Sequence, residues 1–281
     1  MKNAWSYEIP RIAEVIDQPE HREWIEEVTQ RMLGAAGKSP AAAQATIDFV
    51  FDKNSPRETL ELERVLHDKI FSKGKDQNQV RDGMRLRARI ISSQIERYFQ
   101  GESLADVGCG HGLVGWSARK HFNDVLLLDI IDYRDAEVAL PFVEYSANED
   151  PPFGHAFDCT LLITVLHHAH APFRLLESVW RQTRKRLIVI ESVFGVTARN
   201  ANSPLPGLDL ATQLSYAVYC DWFYNRVLNQ NVFVPYNFNT PENWRKMFMK
   251  LGARIHAEED LGVDLDIVPE HHYLFVLDKE I

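Results

Sequence analysis

Two textures of apolar and polar positions divide the chain near residue 100. Before it, every strong pattern is helical. Leu62, Val65, Leu66 and Ile70 recur at helical spacing and make one apolar stripe. Ser55-Pro56-Arg57-Glu58 reads as its start, with Ser55 as N-cap, Pro56 in the first turn and Glu58 closing a capping box. Ser39-Pro40 opens a shorter helix through Phe51, residues 20–33 read as another, and a fourth runs over about 79–99 with Met84, Ile91, Ile95 and Phe99 on one face. After Gly101, short continuous apolar runs alternate with helices. The runs are 104–107, 125–128, 142–145, 159–164 and 187–190; the helices between them include 113–121 and 172–184. Continuous hydrophobicity suits parallel strands covered on both faces, and the alternation predicts a doubly wound α/β sheet. Thr240-Pro241 starts a late helix with Trp244, Met247, Phe248 and Leu251 inward, ended by Gly252. Runs at 254–257 and 273–277 complete the sheet. The predicted organisation is an all-helical N-terminal cap, residues 1–100, on an α/β domain, residues 101–281, with an aromatic-rich lid insertion around 197–240.

Composition narrows the function classes. Hydrophobic residues make up 45% and charged residues 25% of the 281, an ordinary globular profile. No stretch reaches the roughly 18 apolar residues of a membrane span, and residues 1–11 have no signal-peptide core, so a cytoplasmic protein without a membrane partner is expected. The three cysteines, Cys109, Cys159 and Cys220, form no C-x-x-C pair, which argues against a disulfide framework or a cysteine-rich zinc site. Forty acidic against 31 basic residues give a net charge of −9, which repels a phosphate backbone and argues against a nucleic-acid partner. A small or cationic ligand fits better. A homodimer stays open.

The most informative stretch is Asp106-Val107-Gly108-Cys109-Gly110-His111-Gly112, placed where a strand ends and a helix begins. Glycines there allow close approach to the main chain, and amides at the helix start can face a ligand. Asp129, followed by Ile130, ends the next strand, where a carboxylate can accept from both hydroxyls of a ribose. Loop, strand and terminal acid together indicate an adenosine-type ligand. Gly110-His111-Gly112-Leu113-Val114-Gly115 also matches a dinucleotide loop, but a pyrophosphate there would meet the Asp106 carboxylate, whereas a sulfonium or ammonium would be attracted to it.

On these residues, 104–192 resemble the class I S-adenosylmethionine (SAM)-dependent methyltransferases, closest to the type 11 methyltransferase-domain group. Asp106 to Gly112 resemble the SAM-binding loop and Asp129 the ribose acid. Phe157-Asp158-Cys159-Thr160-Leu161-Leu162-Ile163-Thr164-Val165-Leu166-His167-His168 resembles the fourth-strand motif, and Leu187 to Ser192 the fifth strand. The resemblance implies a Rossmann-like seven-stranded sheet with its last strand antiparallel, SAM as cofactor, and cofactor contacts from Asp106, Gly108, Cys109, Gly110, Gly112, Asp129, Ile130 and Thr164. Many relatives carry an acid near adenine after the third strand. Here Ser146, Ala147 or Asn148 would have to serve instead.

The second substrate is expected beyond the carboxyl ends of the strands. His167 and His168 follow the fourth strand, and either can act as general base. A metal reading of His-His-x-His is disfavoured because no acid or cysteine accompanies it at the usual spacing. The aromatic cluster Tyr216, Tyr219, Trp222, Phe223, Tyr224, Phe233, Tyr236 and Phe238 is either core or pocket wall. Within it Asp221, Tyr224, Asn225 and Arg226 are costly to bury unless paired or facing a ligand, so Tyr216, Asp221, Asn225 and Arg226 are candidate substrate contacts and Tyr224 a candidate proton acceptor. Arg87 shares a helical face with Met84 and Ile91. It points to the SAM carboxylate or to a structural ion pair. Glu270 and His271 are placed to edge the pocket. The basic run 181–186 reads as a helix C-terminus.

The expected activity is methyl transfer from SAM to a hydroxyl or amine of a small molecule. Two alternatives remain: cyclisation of SAM to azetidine-2-carboxylate with release of methylthioadenosine, and SAM binding without turnover.

Overall fold

The computed structural model describes residues 7–72, 77–198, 203–229, 232 and 234–279. Seven strands form one sheet in the order β3-β2-β1-β4-β5-β7-β6. They are β1 (Ser103–Val107), β2 (Asp124–Asp129), β3 (Phe142–Glu144), β4 (Phe157–Ile163), β5 (Thr183–Ser192), β6 (Arg254–Leu265) and β7 (Val268–Asp278). β1 to β5 run parallel, while β7 pairs antiparallel with both β5 and β6. This is the doubly wound, Rossmann-like sheet that the apolar runs predict. β1 and β4 are buried along their whole length, as the absence of polar alternation in them requires.

Three boundaries differ from expectation, each for a local reason. Ser55 is not an N-cap. Its hydroxyl donates to the Phe49 carbonyl at 2.5 Å, and the following helix starts later, with Glu58 accepting from the Glu61 amide at 2.8 Å. The basic run is not a helix end beyond Gln182, because Thr183 already pairs with Phe157 and Arg186 donates to Asp278 at 2.7 Å across β5 and β7. β6 is also far longer than the apolar run at 254–257. It is an edge strand, so Glu258, Glu259 and Asp260 can face water while its backbone pairs with β7.

The helices of the first hundred residues are α1 (Ile12–Asp17), α2 (Arg22–Ala35), α3 (Pro40–Phe51), α4 (Thr59–Phe71) and α5 (Gln77–Ile95). α6 (Leu113–Ala118) and α7 (Pro172–Gln182) connect strands, α8 (Leu210–Trp222) lies in the insertion, and α9 (Pro241–Lys250) precedes the final hairpin. After α8 the chain continues in a π turn, Phe223–Leu228. One hydrophobic cluster joins α1 to α4, the insertion and one face of the sheet. Within it Trp24 packs on Tyr216 with ring centroids 5.3 Å apart, and Thr29 Oγ1 bonds Tyr219 Oη at 2.7 Å.

Glu63 on α4 ties this cluster to the π turn. Its carboxylate accepts from Trp222 Nε1 at 3.0 Å and from Arg226 Nη2 at 2.8 Å. Replacing Glu63 by alanine leaves a buried indole N–H and a largely covered guanidinium without their acceptor. A loss of about 3 kcal/mol in unfolding free energy is expected, read by urea denaturation. No helix among the described residues is long and apolar enough to cross a membrane.

Candidate active site

A cleft of about 640 Å³ opens at the carboxyl ends of the parallel strands, within the roughly 300–1,000 Å³ usual for small-ligand pockets. It extends from Asp129 at the end of β2, past β1, β4 and β5, to Glu270 at the start of β7. That is four strand spacings, about 19 Å.

The glycine loop forms one wall. Gly108 has φ 70°, and a Cβ there would stand 2.5 Å from Val165 Cγ2, so only glycine lets the loop pass this close to the end of β4. Four of the loop amides are taken up within the chain. Those of Gly108 and Cys109 donate to the Leu128 carbonyl, that of Gly112 to Cys109, and that of Gly110 to Asp129 Oδ2 at 2.7 Å. Asp129 therefore clamps the loop, and its Oδ1 accepts from the Ile130 amide at 2.7 Å. Asp129 and Ile130 still line the cleft, with Gly108, Cys109, Gly110 and the buried Asp106. Gly112 does not; it caps α6 against Leu127 and Val138. Asp106 accepts from the Gly115 amide at 3.0 Å, and burial pushes its carboxyl up to about 7.

Beyond β3, Ala147 and Asn148 line the cleft but Ser146 does not. Its side chain is exposed, and its Oγ accepts from the Asn148 amide at 3.4 Å. Tyr145, which the sequence pattern passed over as part of a strand, lines the cleft beside Asp129.

The end of β4 is held in an unusual shape. Thr164 lies in the left-handed region with φ 56°, a conformation that costs a threonine about 1 kcal/mol or more and here accompanies cleft residues. Arg87, on α5, reaches the cleft and its Nη2 donates to Thr164 Oγ1 at 3.4 Å. Next to it, Glu191 at the end of β5 gathers the whole turn. Oε1 accepts from the amides of Val165 at 2.9 Å and Leu166 at 2.7 Å, and Oε2 from His167 Nδ1 at 2.7 Å. Glu191 and His167 are both buried. With Glu191 as acceptor, His167 carries its proton on Nδ1. Burial holds its pKa well below the ordinary imidazole value, while it pushes the Glu191 carboxyl up to about 7 against the donors that pull it down. His168 is part-exposed on the cleft, its Nε2 3.7 Å from Asp221 Oδ1.

The opposite wall comes from the end of α8 and the π turn, an irregularity frequent at functional sites. Asp221, Tyr224 and Asn225 line the cleft there, together with Met84 from α5 and Glu270 from β7. Tyr224 is held as a donor, its hydroxyl 3.3 Å from Met84 Sδ, which does not fit the proton-acceptor role. Two expected substrate contacts lie elsewhere. Tyr216 is core, packed on Trp24 and donating to the Pro269 carbonyl at 3.2 Å. Arg226 is spent on Glu63. His271 also turns away, bonding Ser203 and Asp260. Phe233 lies outside the described residues. His167, His168 and Asp221 can each bring one ligand atom within 4.8 Å of the others, a convergence of distant residues that spacing did not reveal.

Asp221 and Glu270 are buried, and burial pushes each carboxyl up to about 7. A carboxyl raised in the folded chain keeps a proton that the unfolded chain has already released, so its contribution to stability is lost as pH rises from about 4 to about 7. Buried His167, with its lowered pKa, acts in the opposite sense as pH falls below about 6.5. The clean measurement is a difference. Asp221→Asn is expected to gain stability relative to the parent chain between pH 5 and 8, by thermal unfolding at matched ionic strength.

Strand order, glycine loop and clamped acid define a Rossmann-like α/β architecture with its cleft at the carboxyl ends of the parallel strands. Residues 105–190 match the family model described as "Methyltransferase domain". Among solved structures, the chain is similar to magnesium protoporphyrin IX methyltransferase (ChlM) from Synechocystis PCC 6803 with bound SAH. The two share 11% identity and a TM-score of 0.48, over 73% of this chain and 88% of that one. It is similar also to an S-adenosylmethionine dependent methyltransferase from Mesorhizobium loti, with 15% identity and a TM-score of 0.46 over 66% and 96%. The YcgJ protein from Bacillus subtilis shows 12% identity and a TM-score of 0.47 over 69% and 98%. No curated protein sequence matches the chain.

Proposed function

We propose that this chain transfers the methyl group of SAM to a nucleophilic atom of a small molecule bound in the same cleft. The observation that carries the reading is the two-ended cleft. One end is built by the methyltransferase-domain loop and Asp129, and the other by Asp221, Tyr224, Asn225 and Glu270, which lie outside the matched segment.

The residues of the first end fit SAM. Asp129 retains acceptor capacity for ribose hydroxyls beyond its bonds to backbone amides, Ala147 and Asn148 border the place for adenine, and Arg87 is placed to meet a carboxylate. Asp106 beneath the loop favours a cation over a diphosphate. When bound, SAM supplies an electrophilic methyl carbon on a sulfonium. The protein's part is to align the acceptor, exclude water and take up a proton. His168 Nε2 is the better proton acceptor of the two histidines. It faces the cleft with a carboxylate nearby to stabilise its charged form, whereas His167 is buried and fixed by Glu191.

Incubation with SAM and acceptor panels, followed by mass spectrometry of the nucleoside product, tests the reading. S-adenosylhomocysteine (SAH) formed only with an acceptor is expected. Methylthioadenosine released from SAM alone would replace methyl transfer with intramolecular cyclisation.

A further inference from the structure

On the methyl-transfer reading of the cleft, we propose that its far end is a cation subsite and that the acceptor is an amine, bound as an ammonium between Asp221 and Glu270 beside His168. Both carboxyl groups line the cleft, and their relative exposures are 0% and 3%. Asp221 Oδ1 is occupied, accepting from Asn225 Nδ2 and facing His168 Nε2 at 3.7 Å. Its Oδ2 is buried and meets no hydrogen-bond donor among the described residues. A buried acceptor left in this condition is costly, more so when charged, so it marks a place where the protein expects a donor from outside.

The surroundings specify the sign of that donor. Glu191 bears on Asp221 as a second acid, and Glu270 feels Asp221 together with His168 and His272. Glu270 Oε2 accepts from Ser192 Oγ, a neutral partner. Acids this close and this buried cannot all ionise without a compensating cation. An ammonium brings a full charge and three donors, an alcohol one donor and no charge. Tyr224 adds an aromatic face at the same wall.

A divalent metal is the competing occupant, and the geometry favours it less. Tetrahedral ligand atoms around zinc stand about 3.4 Å apart, given bonds of about 2.0–2.1 Å. Of the three groups that could converge on an ion, Asp221 Oδ1, 3.7 Å from His168 Nε2, already accepts from Asn225 Nδ2, and His167 has only Nε2 left beside its bond to Glu191. An amine must lose one proton before its nitrogen can act as a nucleophile. The N–H bond breaks toward His168 Nε2, the electron pair stays on nitrogen, and Asp221 Oδ1 faces the imidazolium that forms.

Calorimetric titration of the SAH-saturated protein tests the subsite. The probes are propylamine, benzylamine and putrescine, each against its alcohol counterpart. At least one amine is expected to bind tenfold or more tightly than its alcohol. Asp221→Asn should weaken that amine at least tenfold while leaving the SAH affinity within twofold, and Glu270→Gln gives the same reading if Asp221→Asn does not fold. Equal binding of amine and alcohol, failure of every amine, or displacement of SAH by the amine overturns the proposal. So does zinc that raises the melting temperature and blocks amine uptake. If SAH itself does not bind, the methyl-transfer reading falls, while titration of amines into the free protein still decides the subsite.

Discussion

Turnover of His168→Ala is expected to fall by about 10²–10⁴-fold for an acceptor that must shed a proton, with SAH affinity little changed. The size follows from the part proposed for His168. It faces the cleft, lies 3.7 Å from Asp221, and belongs to a turn whose backbone is fixed independently of its own side chain. Removing the imidazole therefore deletes the proton acceptor without loosening the cofactor end. Steady-state kinetics beside a separate SAH titration make the check, and the loss should appear in kcat more than in KM. A His168→Ala enzyme that keeps its turnover would move the proton to bulk water and leave His168 a packing residue.

The largest stability effect is expected at Glu191. Glu191→Ala removes the acceptor of three backbone amides and of His167 Nδ1 in one step, all within the protein interior. Each stranded buried donor costs on the order of 1–3 kcal/mol, so a loss of roughly 3–5 kcal/mol is expected even after partial rehydration of the new cavity. Chemical denaturation measures it. Glu191→Gln keeps one carbonyl acceptor and should fall between the two. Because the same carboxylate shapes the turn that carries His168, any Glu191→Ala that folds should also lose activity, and it should do so without a change at Asp129.

Much of this arrangement was legible in the residues. The unbroken apolar runs of β1, β4 and β5 announced a covered parallel sheet, and the loop at residues 108–112 with Asp129 located one end of the cleft. What the sequence hid has specific causes. β6 hid behind Glu258, Glu259 and Asp260, since an edge strand owes its existence to pairing with β7 and not to an apolar pattern. Arg226 looked like a ligand contact because its partner Glu63 belongs to a helix far away in the chain. Tyr216 looked like a pocket wall because aromatic stripes on core and pocket faces read alike. The convergence of Asp221 on His168 depends on how α8 is laid over the sheet, which no local spacing encodes. Glu191 did leave a trace, a lone acid closing the run Leu187-Ile188-Val189-Ile190. An ionisable group at the end of a central strand has to be answered by many donors, and that was the signal to follow.

The cleft is assembled from several parts of the chain. Gly108, Asp129 and the two histidines fall within residues 105–190, whereas Met84, Arg87, Asp221, Tyr224 and Glu270 come from before and after them. Substitutions at Asp221, Tyr224 and Glu270 are therefore expected to alter which molecule the cleft accepts while Gly108, Asp129 and Arg87 stay in place. Exchange of residues 205–228, which carry Asp221 and Tyr224, is the natural way to retune this protein while keeping Arg87, Asp129 and Glu191.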